Sequence, residues 1–535
     1  MGEADGGRGI FPAVSRLDRR GFLKLVGAGS AAVAAGSVVS ACGAGSSSAT
    51  PGTAASSGGA PKRGGKLVAA LSGGNANDTL NPLYPVNNTD YVRVAQLFDP
   101  LVQYSVADQP QLYLAEELSS NTNATEWTIR VQRGVTFHNG KDLTADDVIY
   151  TFQQVFNPKS PGESASSLGA VDVSGIKKLD NWTVRVPCKT PFSVIEGALT
   201  GFYIIPTDFD VRQPVGTGPF KFKSFTPGEQ SVFDRNDSYW VSGLPYLDSL
   251  VLDDYADESS QVNALISGQA GIINLLSPVS IGAIRSSGND VVISPGSGWT
   301  PFTMRVDVAP FNDVRVRRAM QLIVDRQQML DVVFDGYGTI GNDLFSIWDP
   351  VYDHALPQRQ QDLDQAKFLL KQAGQEGLTT ELVTGPIAQG TVQAAEVFAQ
   401  QAKGAGVAVN LKSITVTDYY GPDYLKWVFA QDYWYSNPFF DQVGSSMLVT
   451  SPFNETHYND PSYTSLYEQA LATTDVAKRT EIAHEMQAIS YNNGGYIIPY
   501  FAPIIEAHTP NVHGDIPSKS GESFNRFDLK TFWLS

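Results

Sequence analysis

The chain has 535 residues, 42% of them hydrophobic and 17% charged, and a net charge of −17. So acidic a body repels phosphate backbones and anionic headgroups, which excludes nucleic acid and acidic lipid as electrostatic partners. Two cysteines in this length exclude a disulfide framework, so the fold must rest on its core.

The first predicted element is an export signal. Arg19 and Arg20 precede Gly21-Phe22-Leu23-Lys24, and the group resembles a twin-arginine signal. Leu25 to Ala41 comes next, 17 residues rich in Ala, Gly and Ser. That is the short edge of what spans a bilayer, and it is only weakly hydrophobic. A basic head, a short apolar middle and a small-residue exit make residues 1–41 a secretory signal. The exit, Val39-Ser40-Ala41-Cys42, resembles a bacterial lipobox, in which the Cys42 sulfur is acylated and becomes the new N-terminus. The alternative is an ordinary signal or anchor with a chance cysteine. Residues 1–41 carry five Lys/Arg and three Asp/Glu, which leaves the remainder at −19. Lipidation of Cys42 leaves Cys188 alone, and a small buried hydrophobe is expected there.

Residues 42–63 are almost all Gly, Ala, Ser and Thr. Such a composition cannot bury enough apolar area to offset ordering. It reads as a tether reaching about 25 Å.

Beyond the tether, strand and helix patterns alternate. Gly64 to Leu71 is a short apolar run after glycines, a candidate buried strand. Trp127, Ile129 and Val131 alternate with polar residues, as in a half-buried strand. Asn139-Gly140 marks a turn. Thr144, three residues before Asp147, opens a helix running to about Phe156. Leu363, Ala366, Leu369, Leu370 and Ala373 mark an amphipathic helix stopped by Gly374. Thr380 to Thr384 is β-prone. Val392, Ala395, Ala399 and Ala402 then recur at helical spacing, and "VAVNLKSITV" returns as a strand. Strand, helix, strand at this spacing predicts a parallel pair with a right-handed crossover. The body is therefore α/β.

No nucleophile elbow, phosphate loop, dinucleotide fingerprint or zinc-protease motif is present. The six histidines are scattered, so neither a metal, a cofactor nor a catalytic residue is expected. Asp146-Asp147, Asp253-Asp254 and Asp257-Glu258 could be acid/base pairs. Sequence neighbours point apart on a strand and complement the dipole at a helix start, so solvated surface is expected. One segment stands out. Tyr419 to Phe440, "YYGPDYLKWVFAQDYWYSNPFF", has ten aromatics in 22 residues, against 11% for the chain. Rings with polar tips suit a cleft wall that is wet when open and dry when filled. Asp432 among them would pair with a ligand cation once both are desolvated. The bland alternative is a tyrosine-rich packing layer with Asp432 as a cap.

Four ordered blocks carry a resemblance. They are "PQLYLAEELSSNTNATEWTIRVQRGVTFHNGKDLTADDVIYTF", "PVGTGPFKFKSFTPGEQSVFDRNDSYW", "PFNDVRVRRAMQLIVDRQQMLDVVFDGYG" and "DLDQAKFLLKQAG". The chain resembles the family 5 extracellular solute-binding proteins, the dipeptide- and oligopeptide-binding components of ABC importers. The resemblance implies a two-lobed clamshell of the type II periplasmic-binding kind with an extra inserted domain. Lobe 1 would comprise 64–85, 211–297 and 502–535, with 86–210 inserted. Lobe 2 would be 298–501. Hinges are placed near Ser294 to Arg305 and near Ile498 to Pro503. Gly216, Gly218 and Pro219 are expected to shape a turn. Arg315, Arg317 and Arg318 are expected to form ion pairs on a helix surface. In peptide-binding relatives an aspartate in a "DY-x-D-P"-like element pairs with the ligand's α-amino group. The matching element here is "QDYWYSNPF", so that role falls on Asp432. Asn437 replaces the second aspartate, and Trp434 and Tyr435 intrude. The implied ligand wall is Asp432, Tyr433, Trp434, Tyr435, Trp427 and Phe429.

The implied protein is a non-enzymatic, monomeric receptor, lipid-anchored on the outer face of the cell membrane. It would pass a peptide to the permease subunits of an ABC importer. The same fold could instead take an oligosaccharide, an opine-like solute or chelated nickel. A reading of another class is an exported hydrolase or chaperone-like surface protein, which ligand capture without turnover would separate.

Overall fold

The computed structural model describes residues 59–105, 109–519 and 521–535. Arg19, Arg20, Cys42 and most of the tether lie outside the described residues.

Two sheets organise the molecule. The larger has seven strands in the order Asp290–Ser294, Ile504–His508, Ile272–Ile273, Lys66–Ser72, Ser249–Tyr255, Gln230–Arg235 and Phe220–Thr226. Lys66–Ser72 is central and runs parallel to Ser249–Tyr255 and Ile272–Ile273. Leu67, Ala69, Ala70 and Leu71 are all buried. Cover on both faces explains why this run is continuously apolar rather than alternating. The second sheet has five strands, ordered Ala408–Ser413, Thr379–Thr384, Phe429–Gln431, Phe302–Met304 and Tyr496–Ile497. Its first pair is parallel and is joined by helix Thr391–Gly404, the predicted crossover unit. The buried stripe of that helix is Ala394, Ala395, Phe398 and Ala402 rather than one containing Val392 and Ala399. Phe398 turns the face, because its ring packs 4.7 Å from Phe302 and 5.6 Å from Phe429.

The chain passes between these sheets twice, over residues 295–301 and 498–503. The flanking strands pair antiparallel on both sides, Asp290–Ser294 with Ile504–His508 and Phe302–Met304 with Tyr496–Ile497. The two crossings press together. Gly296 has φ +65, and a Cβ there would lie 1.8 Å from the Ala502 carbonyl oxygen. Only glycine fits both the conformation and the approach.

A four-stranded sheet, Ala115–Ser120, Glu126–Val131, Thr183–Pro187 and Lys177–Lys178, forms a third unit. Glu126–Val131 alternates in burial as predicted. Helix Ala145–Val155 is closed at its start by a capping box between Thr144 and Asp147. Cys188 is half-buried against this core, and burial pushes its thiol up to about 11. Helix Asn88–Leu97 lies within 86–210 but is bound to the seven-stranded sheet. Its Arg93 donates to Asp254 and to Ser231 Oγ (2.7 Å) on two strands of that sheet. Gly216 and Gly218 lie against the end of the same helix. A Cβ on Gly216 would fall 1.9 Å from the Leu97 carbonyl oxygen, so close packing demands glycine here.

Buried charge corrects three expectations. Asp147 is buried and accepts from Thr207 N–H at 3.1 Å, whereas Asp146 stays exposed. Asp254 is not solvated surface: its side chain is 1% exposed and pairs with fully buried Arg93, which also meets Asp78 at 3.0 Å. Asp253 does point away and accepts from Gln230 Nε2 at 2.7 Å. On helix Val314–Ile323, Arg315 forms the expected exposed pair with Asp313. Arg317 is instead buried and donates to the carbonyls of Phe311 and Asn493, both at 2.7 Å. Nearby, Asp343 sits between Arg326 and Arg359, all three almost fully buried.

The C-terminal segment has an unusual backbone. Phe524, Asn525, Arg526 and Phe527 take φ of 54, 55, 70 and 65 in succession. Each such L-residue costs about 1–2 kcal/mol, so neighbours must hold the turn. Glu506 Oε1 accepts from Phe524 N–H at 2.7 Å. Beside it, Asp515 is buried and neither of its carboxyl oxygens has a hydrogen-bond partner among the described residues. Burial raises Asp515 to about 7 and Glu506 well above the usual range, the latter helped by the Asp515 charge. A raised folded-state pKa means stability is lost as pH rises from about 4, where the unfolded carboxyl ionises, through the folded value. Asp515→Asn is therefore expected to match the parent near pH 3.5 and to be more stable at pH 8. Melting temperature measured across that range checks it, and parallel profiles would mean that Asp515 is solvated.

Candidate functional site

Strand Phe429–Gln431 leaves the five-stranded sheet at Asp432. Successive side chains on a strand point to opposite faces. Phe429 faces the core with Phe302 and Phe311, whereas Ala430 and Asp432 line a cavity. Phe429 is therefore corrected from ligand wall to core.

The short helix Val416–Tyr419 is capped by Thr415, whose Oγ1 accepts from Asp418 N–H at 3.2 Å. The end of this helix and the turn after it carry three tyrosines over the strand end. The Tyr420 hydroxyl donates to Asp432 Oδ1 at 3.1 Å and that of Tyr424 to Oδ2 at 2.9 Å. Tyr433 N–H donates to Oδ1 at 2.8 Å. The Tyr419 hydroxyl donates to the Gln431 carbonyl, which anchors the helix on the strand. Asp432 is 1% exposed, yet it lines a small cavity with Thr303, Tyr424, Trp427, Ala430 and Glu455.

Glu455 is the second carboxylate of this cavity. Its Oε1 accepts from Trp434 Nε1 at 2.7 Å and its Oε2 from the Tyr496 hydroxyl. Burial, then the Glu455 charge, raises the Tyr496 phenol well above its usual value, with Asp432 contributing. Tyr496 therefore stays a neutral donor through the physiological range. Two acidic groups, neutral hydroxyls and an indole make a wall suited to a cationic ligand group.

The other expected residues divide. Trp427 is half-buried in the cavity wall, and its Nε1 has no hydrogen-bond partner among the described residues. Tyr433 and Trp434 are buried. Trp434 exchanges backbone hydrogen bonds with Trp299 at 2.9 and 3.0 Å and stacks on its ring at 6.0 Å, which ties the wall to the first crossing. Tyr435 is 49% exposed, at the edge. The packing-layer reading of Tyr419 to Phe440 holds for Phe429, Phe439 and Phe440, which are core. Tyr420 and Tyr424 lay inside the aromatic segment and could have been chosen as donors to Asp432. Glu455 and Thr303 lay outside it, with no local signal. A separate depression of about 500 Å³ near Tyr84, Tyr150 and Arg212 shares no lining residue with this wall. Among the described residues no group of three or more His, Cys, Asp or Glu converges as a metal site.

Residues 109–455 match the family model described as bacterial extracellular solute-binding proteins, family 5 Middle. The chain belongs to that family. It is 24% identical over 500 residues to Di/tripeptide-binding protein 1 of Pseudomonas aeruginosa, covering 85% of this chain and 90% of that one. The structure of the ABC transporter substrate-binding protein CtaP from Listeria monocytogenes superposes with a TM-score of 0.77 at 21% identity, over 88% of this chain and 100% of that one. AgaA from A. tumefaciens R10, in complex with agropinic acid, gives 0.71 at 21% identity, over 88% and 99%. The family 5 fold is thus a mixed α/β type II periplasmic binding protein. The family is described as extracellular solute-binding proteins, and its relatives here include a di/tripeptide-binding protein, an oligopeptide-binding protein and a substrate-binding protein of an ABC transporter. Among the described residues of this family 5 receptor, no helix is long and apolar enough to cross a membrane.

Proposed function

We propose that this family 5 protein is a monomeric, lipid-anchored receptor that captures a peptide with a free amino terminus and hands it to the permease of an ABC importer. The peptide lies between a lobe of 64–85, 211–297 and 502–535 and a lobe of 298–501, with hinges at the two crossings. Its α-ammonium pairs with Asp432. The observation that carries this reading is the placement of Asp432: buried, held by two tyrosine hydroxyls and a backbone N–H, and facing a cavity that also holds Glu455. A group so placed favours a small cation that replaces water around it. Trp427, Tyr433, Trp434 and Tyr435 supply the walls and rim. The relative named for di- and tripeptides is consistent with this ligand class, whereas an opine would use the same walls. Thermal shift with peptides, opines and oligosaccharides decides between them. A ligand at 100 times its dissociation constant adds about 2.7 kcal/mol. Stabilisation by oligosaccharides alone would overturn the peptide reading, and turnover of a bound peptide would overturn the receptor reading.

The anchor is tested separately. Cys42→Ser is expected to move the protein from the membrane fraction to the soluble one without changing its melting temperature, because a tether separates the lipid from the core. Retention in membranes after a high-salt wash would end the lipobox assignment. In the same fractionation, Lys at positions 19 and 20 should leave precursor inside the cell if export uses the twin-arginine route.

A further inference from the structure

We propose that the loop from Ser193 to Gly197 is a latch that docks the third unit on the body built on the five-stranded sheet, and that Asp441 at the seam loosens this latch as pH rises. The proposal rests on the hinged, two-lobe reading but on no particular ligand.

The loop is rooted on one side. Phe192 and Ile195 are buried in an apolar cluster that also holds Trp127 of the third unit and Leu67 and Leu250 of the seven-stranded sheet. Phe192 N–H donates to the Ala124 carbonyl at 2.8 Å, and the Phe192 carbonyl accepts from Trp127 Nε1 at 3.1 Å. The next residue reaches the other way. Ser193 N–H donates to the Leu471 carbonyl and Ser193 Oγ to that of Ala470, both at 2.8 Å. Those carbonyls end helix Pro461–Ala472, whose Tyr463 and Ala470 are buried with Trp299, Phe439 and Met486. The last carbonyls of a helix lack partners within it. Ser193 therefore caps a helix of the opposite body, and water can take its place when the two part.

Apolar side chains are exchanged across the same seam. Val194 packs against the cluster of Trp299 and Phe439, and Leu471 against that of Leu67 and Trp127. Gly197 lies against the start of helix Phe439–Ser446. A Cβ there would be 3.4 Å from Pro438 Cγ and 3.6 Å from Asp441 Oδ2. The chain thus joins the two bodies at a contact besides the two crossings, and this one can open without unfolding either core.

The charges around Asp441 come from every side of the seam. Arg479, on helix Val476–Asn493, attracts exposed Glu196 of the loop and also Asp349. Asp349 Oδ2 accepts from Phe439 N–H at 2.8 Å, on the helix that carries Asp441, and its charge repels that of Asp441. Tyr467, on helix Pro461–Ala472, feels the Asp441 charge, and burial above all keeps its phenol neutral. Burial, then the Asp349 charge, raises Asp441 to about 7. Undocking hydrates Asp441 and returns it towards about 4. A pKa higher in the docked state makes docking strongest at low pH and weakens it as pH rises through about 7.

The test is hydrogen exchange of the full mature protein without ligand, read at single amides and corrected for intrinsic rates, together with small-angle X-ray scattering. Ser193 N–H bonds across the seam and Phe192 N–H within its own body. One amide therefore reports undocking, and its neighbour reports folding. Leu471→Asp sets a charge against the cluster of Leu67 and Trp127. It is expected to lower the protection of Ser193 about tenfold or more, to leave Phe192 unchanged and to raise the radius of gyration. Unchanged protection of Ser193, or equal loss at both amides, overturns the latch. Loss at Ser193 alone without expansion shows that the crossings do not hinge, and the latch then falls with the two-lobe reading. In the parent, protection of Ser193 should fall about tenfold between pH 6 and pH 8, and Asp441→Asn should flatten that slope. A flat profile in the parent, or an equal slope in Asp441→Asn, overturns the role of Asp441.

Discussion

Asp432→Asn is expected to weaken binding of the best peptide from the screen by more than a hundredfold. The substitution keeps size and shape but removes the charge opposite the ligand ammonium. Breaking a buried pair by removing one partner costs about 3–5 kcal/mol, and each 1.4 kcal/mol is about tenfold in affinity. The free protein should change far less. An asparagine oxygen still accepts from Tyr433 N–H and the Tyr420 hydroxyl, and the Tyr424 hydroxyl can turn to accept from the new amide. Calorimetric affinity and the ligand-free melting temperature decide together. Unchanged affinity removes Asp432 from the site. A large fall in ligand-free stability would make Asp432 a structural cap that holds Tyr420 and Tyr424 on the strand end.

The second large effect is expected at Asp343. Arg326 Nη2 meets both of its carboxyl oxygens at 2.7 Å. Arg359 Nε lies 2.7 Å from Oδ2 as an ion pair without hydrogen-bond alignment. Exposure of the three side chains is 3% or less. Asp343→Asn leaves two buried guanidinium groups with no counter-charge between them, at a cost of about 3–5 kcal/mol. For a lobe of this size that is a fall on the order of 10 °C in melting temperature. Asp343 has φ +60, a region asparagine tolerates, so the backbone adds no strain of its own. Its Oδ1 also accepts from Ile498 N–H at 2.9 Å, at the start of the second crossing. Scanning calorimetry should therefore show the part built on the five-stranded sheet melting first. An unchanged thermogram would mean that hydration or rearrangement satisfies both arginines.

Local pattern was enough for several elements. The alternation at Glu126–Val131, the capping box at Thr144 and Asp147, and the parallel pair around helix Thr391–Gly404 each depend on residues within one or two turns or strands of each other. Periods of 2 and 3.6 are properties of the backbone, so a short stretch is sufficient to show them. The ordered blocks carried the family in the same way, since each is a contiguous string. Aromatic density marked the segment from which Tyr424, Trp427 and Asp432 line the small cavity, and the match around Asp432 put the expected ligand pairing on its carboxylate.

Only the tertiary structure decided which of those residues face the cavity. One residue of strand phase separates core Phe429 from lining Ala430, and composition is blind to phase. Distance in the chain hid the rest. Asp254 looks like surface until Arg93, 161 residues away, is folded against it. Glu455 lines the same cavity as Asp432 and accepts from the Tyr496 hydroxyl and the Trp434 indole, 23 residues beyond Asp432 in the chain. Nothing in Ser523-Phe524-Asn525-Arg526-Phe527 announces a left-handed turn, because no local term favours it. Glu506, Gln96, Gly514 and Ile516 impose it from elsewhere in the chain. Charge compensation and backbone clamps are sums over contacts between distant segments, and such sums exist only once the chain has closed on itself.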